Sequence, residues 1–329
     1  MTLLAPTLQA FFTTRLTSQF GASPHTMAAY RDTWRLLLTY LAGATGTRPQ
    51  AMDLSEVTAE QVSAFLTHLE IVRGNAVTTR NARLAAVHSF FEYAAYRHPE
   101  HAATISQVLA IPAKRFHRTE LTYLTPPEVD ALLAAPDQTT TAGRRDHAMT
   151  QLAVTAGMRV SELTGLTFND LHLGTAAHVV CHGKGRKTRT TPLDPQTVAV
   201  LRSYTAALAN QTGIVFPTRT RTRMSRDAVA TRLSQHTAIA VTTCPTLSTK
   251  TVTPHTLRHT AAMRLLAAGI DSTVIALWLG HERLETTQIY LHADMKLKEN
   301  AMNRTTPTGT EPGRYRATDD KLLAFLQSI

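Results

Sequence analysis

Residues 178–193 are the one stretch of this chain that reads convincingly as paired β-strands. His178 to Cys181 (HVVC) is a short apolar run, HGKGRK is a polar turn with two glycines, and Thr188 to Leu193 forms a second run. The periodicity found elsewhere is the 3.6-residue period of helices, so the sheet must be a minor element attached to a helical body. The class this predicts is mainly α with a small β-sheet.

Helical spacing organises the first third. Met27, Tyr30, Trp34, Leu37, Leu38 and Leu41 recur at helical intervals after Ser23, an N-cap residue, and before Gly43. Residues 8–20, 58–72 and 78–96 read the same way, which predicts a helical bundle over 1–112. Such a pattern reports a core and is equally compatible with an oligomerisation bundle. Residues 113–124 lose the periodicity and carry Lys114, Arg115 and Arg118, the marks of a basic linker. A capping box of Thr125 and Glu128 with Pro126 at the first helical position then opens a second domain, 125–304. Helices are predicted at 126–135, 144–156, 160–167, 194–209, 225–240, 255–268 and 271–279. The remainder, 305–329, reads as a Thr/Pro/Gly-rich tether and a short helix bearing Leu322, Phe325, Leu326 and Ile329 on one face.

With 329 residues and 43% hydrophobic residues, two cores can be filled. No run approaches the roughly 18 apolar residues of a membrane span, and the N-terminus lacks a signal-peptide pattern, so a soluble cytoplasmic protein is expected. Cys181 and Cys244 are far apart and in no CxxC arrangement, which argues against a disulfide framework or a zinc site. Both are read as buried or bystander thiols. The formal charge is +10, with 10 basic and 7 acidic residues in 1–116 and 24 and 17 in 117–329. A polyanion is the natural partner for two basic domains, although a high pI also arises from solubility alone.

Four segments of the second domain place phosphate-capable or proton-transferring side chains at helix starts and turns. In TAGMRVSELTGL, Arg159 opens a helix and Glu162, three residues on, faces the same side and can brace the guanidinium on a phosphate. Alone, this spacing more often marks a surface ion pair. Lys184 stands between Gly183 and Gly185 at a hairpin tip, where a mobile ammonium can protonate a leaving oxygen or simply meet solvent. In TPHTLRHT, Pro254 starts a helix that puts His255, Arg258 and His259 on about one face. His255 suits a base or hydrogen-bond donor and Arg258 a second guanidinium, while His259 reads as a hydrogen-bonded core residue. Zinc is disfavoured there because no glutamate follows the first histidine as in HExxH. Finally, Gly280 ends a short helix, His281 emerges at the turn, and Tyr290 follows nine residues later, where a tyrosine is ordinarily a core aromatic.

Taken together and in this order, GMRVSEL, the GKG hairpin, HTLRHT, the LGH box and TTQIYLH resemble the motifs of the tyrosine recombinase (phage integrase) family. The resemblance covers residues 120–305 closely and the first domain more loosely. It implies an N-terminal helical bundle of the core-binding, SAM-like kind and an α+β tyrosine recombinase catalytic domain. It implies a site-specific DNA recombinase, of integrase or transposase type, that needs no cofactor and no metal and acts on double-stranded DNA as a homo-tetramer on paired sites. Tyr290 would attack the scissile phosphate to give a 3′-phosphotyrosine, and strands would exchange through a Holliday junction. Arg159 and Arg258 would clamp the phosphate with help from His281, Lys184 would be the general acid, His255 the base, and Glu162 a supporting residue. Lys114, Arg115 and the PTRTRTRMSR arginines Arg219, Arg221 and Arg223 would follow the DNA backbone. The terminal helix would dock on a neighbouring protomer. A type IB topoisomerase and an inactive DNA-binding factor on the same scaffold are the alternatives, and a metalloprotein is a remote third.

Overall fold

The computed structural model describes residues 2–115, 121–183, 187–208, 211–280, Thr287 and Tyr290. Lys184, His281, residues 291–304 and the tether and terminal helix read over 305–329 lie outside the described residues. The chain divides into two compact units, Met1–Thr119 and Glu120–Ile329. Among the described residues, no helix is long and apolar enough to cross a membrane.

The first unit is helical: α1 (Leu4–Ala10), a π-helix (Phe11–Gln19), α2 (Pro24–Thr45), α3 (Ala59–Ile71), α4 (Val77–Ala95) and α5 (Ala102–Leu109). The helix expected over 8–20 begins earlier and widens to π geometry. The hydroxyls of Thr17 and Ser18 there donate to carbonyls five residues back, Phe12 O and Thr13 O, in step with that wider turn. Ser23 caps α2 by accepting from Thr26 N at 3.1 Å. The helix passes through Gly43 and stops at Gly46, whose φ of 75° suits a left-handed C-cap. Sequence periodicity missed α5, because so short a helix has only Ile105 and Val108 to bury. The core is aromatic, with Trp34 and Phe90 at 4.5 Å between centroids and Phe11 edge-on to Phe90 at 5.6 Å.

The second unit holds α6 (Pro126–Ala134), α7 (Thr141–Ala156), α8 (Val160–Gly165), β1 (Leu171–His172), β2 (His178–His182), β3 (Thr188–Pro192), α9 (Pro195–Ala206), α10 (Arg226–Ala240), α11 (Pro254–Ala267) and α12 (Ser272–Leu279). The expected hairpin is present and gains β1 as a third antiparallel strand, in the order β1-β2-β3. His178 pairs with Pro192 and His182 with Thr188. Val179 and Cys181 face the core, while the ends of β2 are open, the alternation a half-buried strand requires. The capping box of α6 forms, with Thr125 N donating to Glu128 Oε2 at 2.8 Å.

Most of α7 is buried, and this includes a carboxylate. Asp146 accepts from Arg145, Arg232 and His236 Nε2, so the charge is matched across α7 and α10 where an unpaired one would be costly. The stretch read as a linker divides its attachments. Lys114 ion-pairs with Glu70 of α3 at 2.7 Å, whereas Leu124 is buried in the second unit and its N–H donates to Thr260 Oγ1 at 2.9 Å. Burying Leu124 draws the end of that stretch into the core.

Candidate active site

Three arginines converge on the C-terminal end of α12. The carbonyls of a helix's last turn lack intrahelical partners and carry the negative end of its dipole. Here Trp278 O accepts from Arg189 Nε at 2.9 Å, Leu279 O from Arg258 Nη2 at 2.6 Å and Gly280 O from Arg159 Nη2 at 2.8 Å. The guanidiniums come from β3, α11 and the N-cap of α8, so this one helix end registers three elements against each other.

Glycines make the convergence possible. Gly157, at φ 61°, ends α7, and a Cβ there would lie 2.5 Å from Leu279 Cδ2 and 3.2 Å from Ala261 Cβ. Its carbonyl accepts from Arg258 Nη1 at 2.7 Å. Gly280, at φ 64°, turns the chain out of α12 beside Arg189.

One carboxylate serves this group of cations. Glu162 is buried, and its Oε1 accepts from Arg159 Nη1 at 2.9 Å and from Arg189 Nη1 at 2.8 Å. Its Oε2 accepts from Arg159 N and Arg189 Nη2, both at 2.8 Å. Burial alone would push the Glu162 carboxyl up, but the hydrogen bonds and charge of Arg189, followed by the backbone and side-chain hydrogen bonds of Arg159, hold it below the usual value. Arg258 is pushed down to about 10 by burial, then by Arg159 and Arg189, and stays charged at neutral pH.

The base of the Lys184 hairpin ends at the same place. Gly183 N donates to Lys187 O at 2.8 Å, and a Cβ on Gly183 would sit 3.6 Å from Glu162 Oε1 and 3.8 Å from Arg159 Nη1.

Tyr290 packs among Ala262, Met263, Leu266, Ile275 and Leu279 and is 1% exposed. Its hydroxyl lies 3.0 Å from His259 Nδ1, and the His255 ring sits edge-on to His259 at 4.1 Å between centroids. Burial pushes the phenol up to about 12, with the charge of Arg258 pulling the other way. His255 is exposed at its surface, yet partial desolvation, followed by the charges of Arg258 and then Arg159, lowers its pKa. His255 is therefore neutral at pH 7.

Arg159, Glu162, Arg258, His255 and Tyr290 thus belong to one neighbourhood in α8, α11 and the segment after α12. The histidine that meets the tyrosine hydroxyl is His259, which sequence reading assigned to the core, and His255 is its neighbour. The two lie one helical turn apart on the same face, and which of them reaches residue 290 depends on packing. Arg189 was missed altogether. Its signal was alternation: it shares a face of β3 with buried Thr191, an unusual place for an arginine without a buried partner.

The basic stretch 217–226 behaves differently along its length. Thr218 N donates to Thr222 O at 2.8 Å and reverses the chain, leaving Arg219 and Arg221 exposed at the turn. Arg223, expected with them, points back instead, and its guanidinium donates to Thr164 Oγ1 and Ser161 O of α8. Arg115 is exposed.

Comparison with known proteins identifies the family of the chain. Residues 122–296 match the phage integrase family, and residues 10–98 match the phage integrase N-terminal SAM-like domain. A Sinorhizobium fredii protein named integrase/recombinase y4rC is 51% identical over 99% of this chain and 98% of its own length. The tyrosine recombinase XerC of Chlamydia muridarum is 30% identical over 88% of this chain and 95% of its own. Among solved structures, the Tn1549 transposon integrase in complex with transposon right-end DNA superposes with a TM-score of 0.69. It covers 92% of this chain and 99% of that one at 16% identity, a likeness of fold. With both family patterns matched in chain order, the SAM-like one over a helical unit and the other over the unit that gathers Arg159, Arg258 and Tyr290, the chain belongs to the phage integrase family of tyrosine recombinases.

Proposed function

We propose that this protein is a site-specific DNA recombinase that cleaves and rejoins strands through a covalent 3′-phosphotyrosine at Tyr290. The observation that carries the reading is the pairing of a buried tyrosine hydroxyl with His259, on the helix that also supplies Arg258. A phenol near 12 is protonated at neutral pH, so attack on phosphorus needs a proton acceptor in contact. His259, with Nδ1 unprotonated, is placed to be it, and neutral His255 beside it keeps the site free of a further competing charge. Arg159 and Arg258 stabilise the charge that builds on the nonbridging oxygens, with His281 adding a hydrogen bond. Lys184, carried by a hairpin whose base lies beside Arg159 and Glu162, protonates the departing 5′-oxygen. Solved relatives of this fold include a XerH recombinase bound to its difH substrate and the Tn1549 integrase on transposon-end DNA. By that analogy double-stranded DNA is the partner; a homo-tetramer on paired sites that exchanges strands through a Holliday junction is what the resemblance to the family implies.

The test uses nicked suicide duplexes built from inverted repeats in the DNA that flanks the gene. Wild type should leave an adduct that survives SDS, and Tyr290→Phe should bind the same DNA with similar affinity and leave none. An adduct in the Phe variant removes Tyr290 as nucleophile. Tight binding by wild type with no adduct on any such duplex makes the protein a DNA-binding factor.

A further inference from the structure

We infer that Arg189 is a positioning residue for this chemistry: it takes up the charge of Glu162 and holds the end of α12, so that Arg159 stays a full cation for the phosphate. The inference rests on the recombinase reading above and extends it to a residue outside the motif set.

Charge and geometry both point to Arg189. Glu162 must be present to fix Arg159, because it receives both the backbone N–H and Nη1 of that residue. A carboxylate satisfied by Arg159 alone would cancel the charge that a phosphate needs. Arg189 avoids this by placing a two-pronged fork on the same carboxylate, 2.8 Å to each oxygen. The Arg189 side chain is only 12% exposed, whereas that of Arg159 is 35% exposed, so the inner arginine neutralises Glu162 and the outer one faces solvent. The Nε of Arg189 is spent on Trp278 O, and this ties β3 to the turn that leads to His281. A lysine could supply the charge but not the fork and the third bond together.

The experiment compares full-length wild type, Arg189→Met, Arg189→Lys, Glu162→Gln and the double variant Glu162→Gln/Arg189→Met. Adduct rates are read at saturating protein on the suicide duplex, with DNA Kd and melting temperature measured alongside. Arg189→Met should slow adduct formation about ten- to a hundred-fold, the scale of a misplaced catalytic group, with Kd little changed. Arg189→Lys should fall between. The double variant should be faster than Arg189→Met, because the uncompensated carboxylate no longer draws on Arg159. A merely structural arginine predicts rates that only follow the melting temperature, down in the single variant and back in the double. Should Arg189→Met fail to fold, Arg189→Lys with and without Glu162→Gln carries the same comparison. An unchanged rate in Arg189→Met, or a double variant no faster than the single, overturns the inference. Inorganic phosphate, titrated against the same variants, gives an arm independent of cleavage: its affinity should fall in Arg189→Met and recover in the double variant. Absence of any wild-type adduct would defeat the recombinase reading, while the phosphate arm would still judge Arg189.

Discussion

Glu162 shows how one side chain can couple stability to chemistry. A buried carboxylate shared by two guanidiniums is tolerable only while those partners stay in place, and removing one side of such a pair costs about 3–5 kcal/mol. Glu162→Gln keeps the shape and removes the charge, so it should lower unfolding free energy by an amount toward the bottom of that range. The dependence on pH has a definite sign. The folded pKa of Glu162 lies below its ordinary 4.5, so its stabilisation is complete above about 4.5 and is lost as pH falls through the lower folded value. Urea titrations should therefore show a constant gap between wild type and Glu162→Gln from about pH 6 to 8 that narrows in acid below about 4.5. A gap independent of pH down to the acid limit would mean that the charge of Glu162 is not what Arg159 and Arg189 hold.

At the scale of elements, α12 matters through its last turn. Its body is short and apolar, and its end is where three arginines meet. Gly280→Ala imposes two costs: an alanine at φ 64°, and a Cβ placed 3.1 Å from Arg189 Cδ. Gly269 has φ 80° and open space within 4 Å of where a Cβ would sit, so Gly269→Ala imposes only the first. The left-handed conformation costs about 1–2 kcal/mol for a residue with a Cβ. Both variants should lose about that much stability, but only Gly280→Ala should also slow adduct formation. Equal rates in the two variants would show that the α12 turn does not transmit to the site.

Across the whole molecule the net charge of +10 sets a field, yet the arginines of one turn differ in what their side chains are bonded to. Arg219, Arg221 and Arg223 are all exposed, but the guanidinium of Arg223 is bonded to Thr164 Oγ1 and Ser161 O of α8. Replacing Arg219 and Arg221 with Ala should weaken binding to all DNA sequences and lower the slope of log K against log salt by about one for each phosphate no longer neutralised. Arg223→Ala should instead lower the melting temperature of the second unit and leave the slope nearly unchanged. The opposite pattern would put Arg223 on the phosphate backbone and Arg219 and Arg221 in solvent.

Local signals were legible in the chain wherever a structural choice is made within a few residues. Ser23, the Thr125–Glu128 box and the GKG turn marked their elements, because caps and turns are decided by hydrogen bonds between near neighbours. Periodicity likewise marked α2 and α4, whose apolar faces are long enough to register, and Pro254 marked the start of α11. The candidate motifs carried Arg159, Glu162, Arg258, His255 and Tyr290 as residue types at telling positions. What spacing could not specify was contact between distant segments. The fork from Arg189 to Glu162 spans 27 positions, and the bond from His259 to Tyr290 spans 31. Arg223 faces α8 because the chain reverses between Thr218 and Thr222, and α7 can bury Asp146 because α10 brings Arg232 and His236 to it. Each of these depends on which helix ends meet, and that is settled by packing, where the desolvation of a charge must be matched by a partner the local sequence does not contain.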